Sequence, residues 1–230
     1  MIHYNKSMRS LYGAVVCIAL MAFHVEAQAA VTPQTMTPAQ NYYQGRHLEA
    51  TGRMAEATLH YNEVVRVAFD QITRHVATRD TYVLLTRALR RLGRHNEVIN
   101  WGQQGMRVFP DEFRLLETMG QSFFFLGNFE QSLAHMERYA DAMPDGDRIS
   151  LAYFFIGEIF RLTHKFYRAD MAYTMALHFE PGMVLWWYRL GSVREQVGDT
   201  EPALEAYRRA LAINPNHNGA RNAVTRLTSD

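Results

Sequence analysis

One cysteine, Cys17, occurs in 230 residues, so the chain can neither close an internal disulfide nor build a thiolate metal cage. Charge of one sign is also lacking. The 24 lysines and arginines face 23 aspartates and glutamates, and the formal net charge of +1 exerts no long-range pull on nucleic acid or an anionic membrane. Glycines are scattered singly, so neither the dinucleotide loop nor the Walker loop can be drawn. After residue 29 no two histidines stand three to five apart, which excludes a helical His-x-x-x-His metal pair, and no Gly-x-Ser-x-Gly elbow occurs. The carboxylate clusters Asp111-Glu112 and Asp145-x-Asp147 fall at expected helix starts and turns, where negative charge favours the helix dipole over acid–base chemistry. No cofactor, no metal and no nucleic-acid partner are therefore expected, and an enzyme is not.

The first 29 residues read as a secretory signal. Lys6 and Arg9 form a positive start, Leu11 to Phe23 is a mostly apolar run, and Ala27-Gln28-Ala29 supplies a small-x-small cleavage pattern. The apolar run falls short of the roughly 20 residues of a membrane-spanning helix, so cleavage after Ala29 is expected, leaving no integral anchor. Met8 opens a tidier signal than Met1 and is the expected start. Val16 precedes Cys17 where a lipidated cysteine wants a smaller residue, so Cys17 leaves with the signal. The cut also removes Lys6, Arg9 and Glu26, leaving 22 basic against 22 acidic residues in a formally neutral chain. A cysteine-free product suits an oxidising compartment, and the expected location is the periplasm or cell envelope of a bacterium. Lys165 is the one lysine left. Arginine supplies the remaining basic residues, and its planar fork suits carboxylates and aromatic faces.

What the sequence does contain is a period. Pro181 and Pro215 lie 34 residues apart, and the residues leading into them align: Tyr153 with Trp187, Ile156-Gly157 with Leu190-Gly191, Ala169 with Ala203, Tyr173 with Tyr207, Ala176 with Ala210. Pro110 and Pro144 repeat the spacing, with Tyr82, Leu85, Gly93 and Val98 opposite Leu116, Met119, Gly127 and Ser132. Gly45, Gly52, Ala57 and Tyr61 mark a further unit at the N-terminal side. These residues, above all Trp187-x2-Leu190-Gly191 followed by Ala203-x3-Tyr207 and Pro215, resemble the tetratricopeptide repeat. That resemblance covers about 38 to 215 and implies an all-α solenoid of about five helix-turn-helix pairs.

The local chemistry agrees. Val83, Leu84, Leu85, Ala88, Leu89 and Leu92 fall on one helical stripe. Gly52, Gly93, Gly127 and Gly198 stand between the helices of each pair, where a left-handed C-cap is wanted. Thr37-Pro38 with Gln40 forms a capping box, and Asn128 with Gln131 a similar start. Helices are expected over 38–51, 54–70, 79–92, 95–108, 113–126, 129–142, 150–163, 166–179, 184–197 and 200–213, in repeats 38–78, 79–112, 113–149, 150–183 and 184–217. A last helix over 218–228 covers the open end with Ala220, Val224 and Leu227. Residues 30–37 form a short extension ahead of this domain. Two departures stand out: Gly52 to Gly93 is 41 residues, and Gly127 to His164 is 37. The first excess either lengthens the second helix or forms a loop through Gln71 to Thr78. His164 replaces a glycine, and Arg194 stands where a tyrosine is usual.

The resemblance further implies that the first helix of each pair lines a concave groove. Tyr43, Arg46, Arg87, Arg91, Gln121, Phe125, Phe155, Glu158, Arg161 and Arg189 are its candidate partner-binding residues, a set rich in the arginine and aromatic anchors of interfaces. Phe123, Phe124, Phe125, Phe154 and Phe155 also suit the core between repeats. Consecutive helix positions point about 100° apart, so at least one of Phe123, Phe124 and Phe125 faces the groove. The lysine and asparagine clamp with which chaperone-binding relatives hold a C-terminal carboxylate is not reproduced, because its slots carry Arg46, Leu84 and Arg87. The expected function is a non-enzymatic scaffold binding a protein or peptide segment. A small-molecule or lipid carrier and a homo-oligomeric structural subunit are the alternatives.

Overall fold

The computed structural model describes residues 32–229; the expected signal over 1–29, Cys17, and the choice between Met1 and Met8 lie outside them. The predicted capping box opens the array. The Thr37 side chain accepts from the Gln40 amide at 3.2 Å, the Gln40 side chain accepts from the Thr37 amide at 2.8 Å, and Pro38 occupies the first turn. Eleven α-helices and no strand follow among the described residues: α1 Pro38–Ala50, α2 Met54–Thr73, α3 Arg79–Arg91, α4 His95–Val108, α5 Arg114–Phe125, α6 Phe129–Ala142, α7 Ile149–Leu162, α8 Phe166–Phe179, α9 Val184–Gln196, α10 Thr200–Ile213 and α11 Asn218–Leu227. None of them is long and apolar enough to cross a membrane.

Each first helix ends in the same way. At Gly52 the amide donates to Glu49 O and the next amide, Arg53, donates to Leu48 O at 2.8 Å, with φ of +79° at the glycine. These are the paired bonds of a Schellman cap, and only a residue in the left-handed region closes them. His164 closes the same cap at φ of +56°, with the Lys165 amide on Phe160 O at 2.8 Å. The departure noted in the sequence therefore keeps the turn but places a side chain in a backbone region that costs about 1 kcal/mol for a residue bearing a Cβ.

Within a pair, glycine on the first helix lets an aromatic ring of the second approach the backbone. A Cβ at Gly45, Gly157 or Gly191 would lie 2.6–2.7 Å from Tyr61, Tyr173 or Tyr207. These three tyrosines are buried, as are Ala57, Ala169 and Ala203 at the start of the same second helices. Between pairs, successive first helices touch, α1 with α3, α3 with α5 and α5 with α7, while successive second helices do not pack to a comparable extent. The stack therefore bends with the first helices on its inner face. Ala220 and Ala223 of α11, with Val224 and Leu227, close the last pair against Ala203, Tyr207 and Ala210.

The 41-residue spacing resolves mainly into helix. Helix α2 has 20 residues where α4, α6, α8 and α10 have 14. It ends in a Schellman cap at His75, with φ of +57°. Those six residues carry the chain about 9 Å further before α3 begins. Helix α3 sits less closely against α1 than against α5, and a cleft of about 390 Å³ opens between α1 and α3.

Candidate functional site

The inner face is built as a ladder of ion pairs. A carboxylate on one first helix meets an arginine on, or immediately before, the next helix of the inner row: Glu49 with Arg91 at 3.2 Å, Asp80 with Arg114 at 3.0 Å, Glu117 with Arg148 at 2.8 Å, Glu158 with Arg189 at 3.2 Å, and Glu195 with Arg226. In three pairs the carboxylate is also held from below by the second helix. Tyr61 donates to Glu49 at 2.7 Å, Tyr173 to Glu158 at 2.5 Å and Tyr207 to Glu195 at 2.8 Å. Burial first, and then the neighbouring carboxylate, push these three phenols well above their usual range. The glycine that admits the ring, the ring that reaches the carboxylate and the carboxylate that meets the next arginine thus form one linked unit. Arg194, the departure in the fifth pair, ties α9 back to Asp170 of α8 at 2.8 Å.

Most of the arginines predicted for a partner are consequently engaged within the fold. Arg161 binds Glu158 through two hydrogen bonds, Arg189 meets the same carboxylate, and Arg91 is held by Glu49. Glu158 itself is buried beneath them. Gln121 is buried and donates to Glu117, which has no exposed surface at all. Phe155 is buried too, edge-on to Phe124 and Phe125. Tyr43 and Phe125 remain open, at 62% and 54% exposure, and Arg46 is exposed. Phe125 stacks on His95 at the turn between α3 and α4, away from the cleft beside Tyr43.

Two inner-face arginines are engaged far less. Arg87 has one carboxylate near it, Asp147 at 3.7 Å, and its Nε and one terminal nitrogen are sealed from solvent without an acceptor. Arg90 forms no ion pair and no side-chain hydrogen bond among the described residues, and its Nε is sealed in the same way. Arg90 is not among the candidate partner-binding residues named from the sequence. Burial, and then the charges of Arg91 and Arg148, push its guanidinium below the usual range against the pull of Glu117. Arg148 shows the contrast: burial opposes its charge as well, but the adjacent Glu117 outweighs that and raises it. The Arg148–Glu117 contact is close but off-axis, so it counts as an ion pair and not as a hydrogen bond.

The cleft meets this cluster. Val64 and Ala68 of α2 and Val83 and Leu84 of α3 give it an apolar floor, Tyr43 forms its lip, and Arg87 stands at the boundary with Arg90. No group of three or more metal-ligating side chains occurs among the described residues.

Residues 184–217, the pair α9–α10, match the tetratricopeptide repeat family. No curated protein matches the chain as a relative. Among solved structures, TTC0263, a thermophilic tetratricopeptide-repeat protein of Thermus thermophilus, aligns with a TM-score of 0.60 at 16% identity, over 84% of this chain and 100% of its own. The hetero-tetramer Cut9–Hcn1 of the APC/C aligns at 0.65 and 15% identity, over 83% of this chain and 36% of that one. MamA from Desulfovibrio magneticus RS-1 aligns at 0.56 and 15%, over 79% and 97%. At such identities the likeness is one of fold, and the fold is the tetratricopeptide-repeat solenoid.

Proposed function

We propose that this tetratricopeptide-repeat solenoid is an exported, non-enzymatic scaffold that holds a segment of a partner protein on its inner face, in the assembly of a bacterial cell envelope. The observation that carries the binding reading is the cleft between α1 and α3. It is a concave, apolar-floored site between two inner helices, with an exposed tyrosine at its lip. The shared fold supports a protein partner, since the Cut9–Hcn1 neighbour is itself an assembly of protein chains. Export rests on the charged start, apolar run and small-x-small site of residues 1–29.

A photo-crosslinking side chain placed at Tyr43, and separately at the outward, exposed Tyr167 of α8, tests the reading in the native host. Adducts at Tyr43 alone are expected. Adducts at Tyr167 with none at Tyr43 would move the interface to the outer face. N-terminal sequencing of the envelope fraction checks the export: a mature chain beginning at Ala30 is expected, and an intact signal in a cytoplasmic product refutes it.

A further inference from the structure

The ladder defines which positive groups on the inner face the fold has already used. Arg91, Arg114, Arg148, Arg189 and Arg226 each lie within ion-pair distance of a carboxylate on the preceding first helix. Arg87 and Arg90 are left over, on one helix and three positions apart, so their side chains leave the same face about 5–6 Å from each other. Each has a guanidinium nitrogen sealed from solvent with no acceptor. A buried guanidinium without a counter-charge is destabilising, and a fold that has matched arginine to carboxylate five times along this face gives Arg87 only Asp147 at 3.7 Å and Arg90 none.

The local charge indicates what these two arginines take. Arg87, Arg90, Arg91 and Arg148 carry four positive charges, and Glu49, Glu117 and Asp147 return three negative ones. Among the described residues Arg90 is the one of the four with no carboxylate within ion-pair distance, a deficit of one carboxylate, and Asp80 on the cleft is already paired with Arg114. A phosphate dianion would exceed the deficit and would face Glu117 and Asp147. The planar guanidinium fork also fits the two oxygens of a carboxylate.

Arg87 lines the cleft as well as the cluster, so the two sites are parts of one surface. Along α3, the point midway between Arg87 and Arg90 lies about 7 Å beyond Leu84 on the cleft floor, at 1.5 Å per residue. An extended peptide places side chains on the same side every second residue, about 7 Å apart. We infer that Arg87 and Arg90 form a carboxylate subsite beside the α1–α3 cleft, and that the partner presents an extended segment with an aliphatic residue in the cleft and Asp or Glu two residues away. This rests on the inner face being the binding face, and it specifies what that face selects.

The probe is a fluorescent peptide, blocked at both ends, carrying Leu-Ser-Asp in a Gly-Ser background, and its control carries Leu-Ser-Asn. Anisotropy with the full chain should show the acidic probe binding about ten-fold or more tighter, the size of one charge-assisted contact. Arg90→Gln, and independently Arg87→Gln, should remove that preference, and Arg90→Gln should leave the melting temperature level or raised because it deletes an uncompensated charge. Equal affinity for the two probes, no binding of the acidic probe, or undiminished binding by both variants overturns the inference. So does inorganic phosphate displacing a label that the acidic peptide cannot, which would make the site one for phosphate. If Tyr43 crosslinks its native partner while the probes fail, the carboxylate subsite alone is wrong. If Tyr43 gives no adduct, the binding face itself is wrong.

Discussion

Gly157→Ala adds one methyl group at a crossing where a buried ring lies against the helix backbone. Its Cβ would lie 2.6 Å and 2.7 Å from two ring atoms of Tyr173, where ordinary contact begins near 3.4 Å. The ring has little room to retreat. Tyr173 is fully buried, its hydroxyl donates to Glu158, and Glu158 is clamped by Arg161 and Arg189. Overpacking costs about 1–3 kcal/mol, loosening the phenol–carboxylate bond adds about 1–3, and the better helix propensity of alanine returns about 1. The expected net loss is therefore about 1–5 kcal/mol, centred near 3. Urea denaturation followed by far-ultraviolet circular dichroism measures it, with Gly182→Ala as a control, because nothing lies within 4 Å of a Cβ there. The control should stay within about 0.5 kcal/mol of the parent. Tyr173→Leu introduced beside Gly157→Ala should restore part of the loss, since a smaller side chain yields to the methyl group. A Gly157→Ala protein as stable as the parent would refute the linked glycine, tyrosine and carboxylate unit.

His164→Gly should stabilise by about 1 kcal/mol, because it removes a Cβ from the left-handed cap position without touching a hydrogen bond; a lower melting temperature contradicts this. Glu117→Gln takes away the carboxylate between Arg148 and Arg90 and should cost about 3–5 kcal/mol by chemical denaturation, whereas a neutral result would mean the cluster is not buried charge. Burial lowers His60, His95 and His135 below the ordinary value of 6.5, so the unfolded chain takes up protons more readily than the folded one. Stability should then be full above about pH 6.5 and fall as the medium is acidified below it, flattening in a His60→Gln, His135→Gln double variant. A melting temperature that rises on acidification would reverse the sign.

The helices were legible because each depends on residues adjacent in sequence. The Thr37–Gln40 box, the cap glycines and the apolar stripe of α3 all act within about one or two turns, and ten of the eleven helices end within a residue of expectation. The exception, α2, runs to Thr73 because nothing local stops it: the cap that ends it is closed by His75, a residue type with no strong turn signature. The inner face was legible only in part. Which side chains occupy the first helices follows from the period, and Tyr43 and Phe125 are exposed. Whether an arginine is available does not follow from the period, because its partner sits on the next helix. Arg161, Arg189 and Arg90 look alike in sequence, and only the packing shows that the first two share Glu158 while the third has no carboxylate.

A single insertion connects the cleft to the loosely held Arg87. Glu117 to Arg148, Glu158 to Arg189 and Glu195 to Arg226 are each separated by 31 residues. The same separation from Glu49, lengthened by the seven residues that make Gly52 to Gly93 longer than the period, falls on Arg87. Glu49 instead reaches Arg91, one turn further along α3, because the longer α2 delays the start of that helix. Arg87 is thereby left beside the cleft between α1 and α3. Shortening α2 by the residues 67–73 should close the cleft and return Arg87 to Glu49. The chain would keep its helical signal while losing the acidic-peptide preference, and a shortened chain that still discriminates Leu-Ser-Asp from Leu-Ser-Asn would separate the two effects and break the argument.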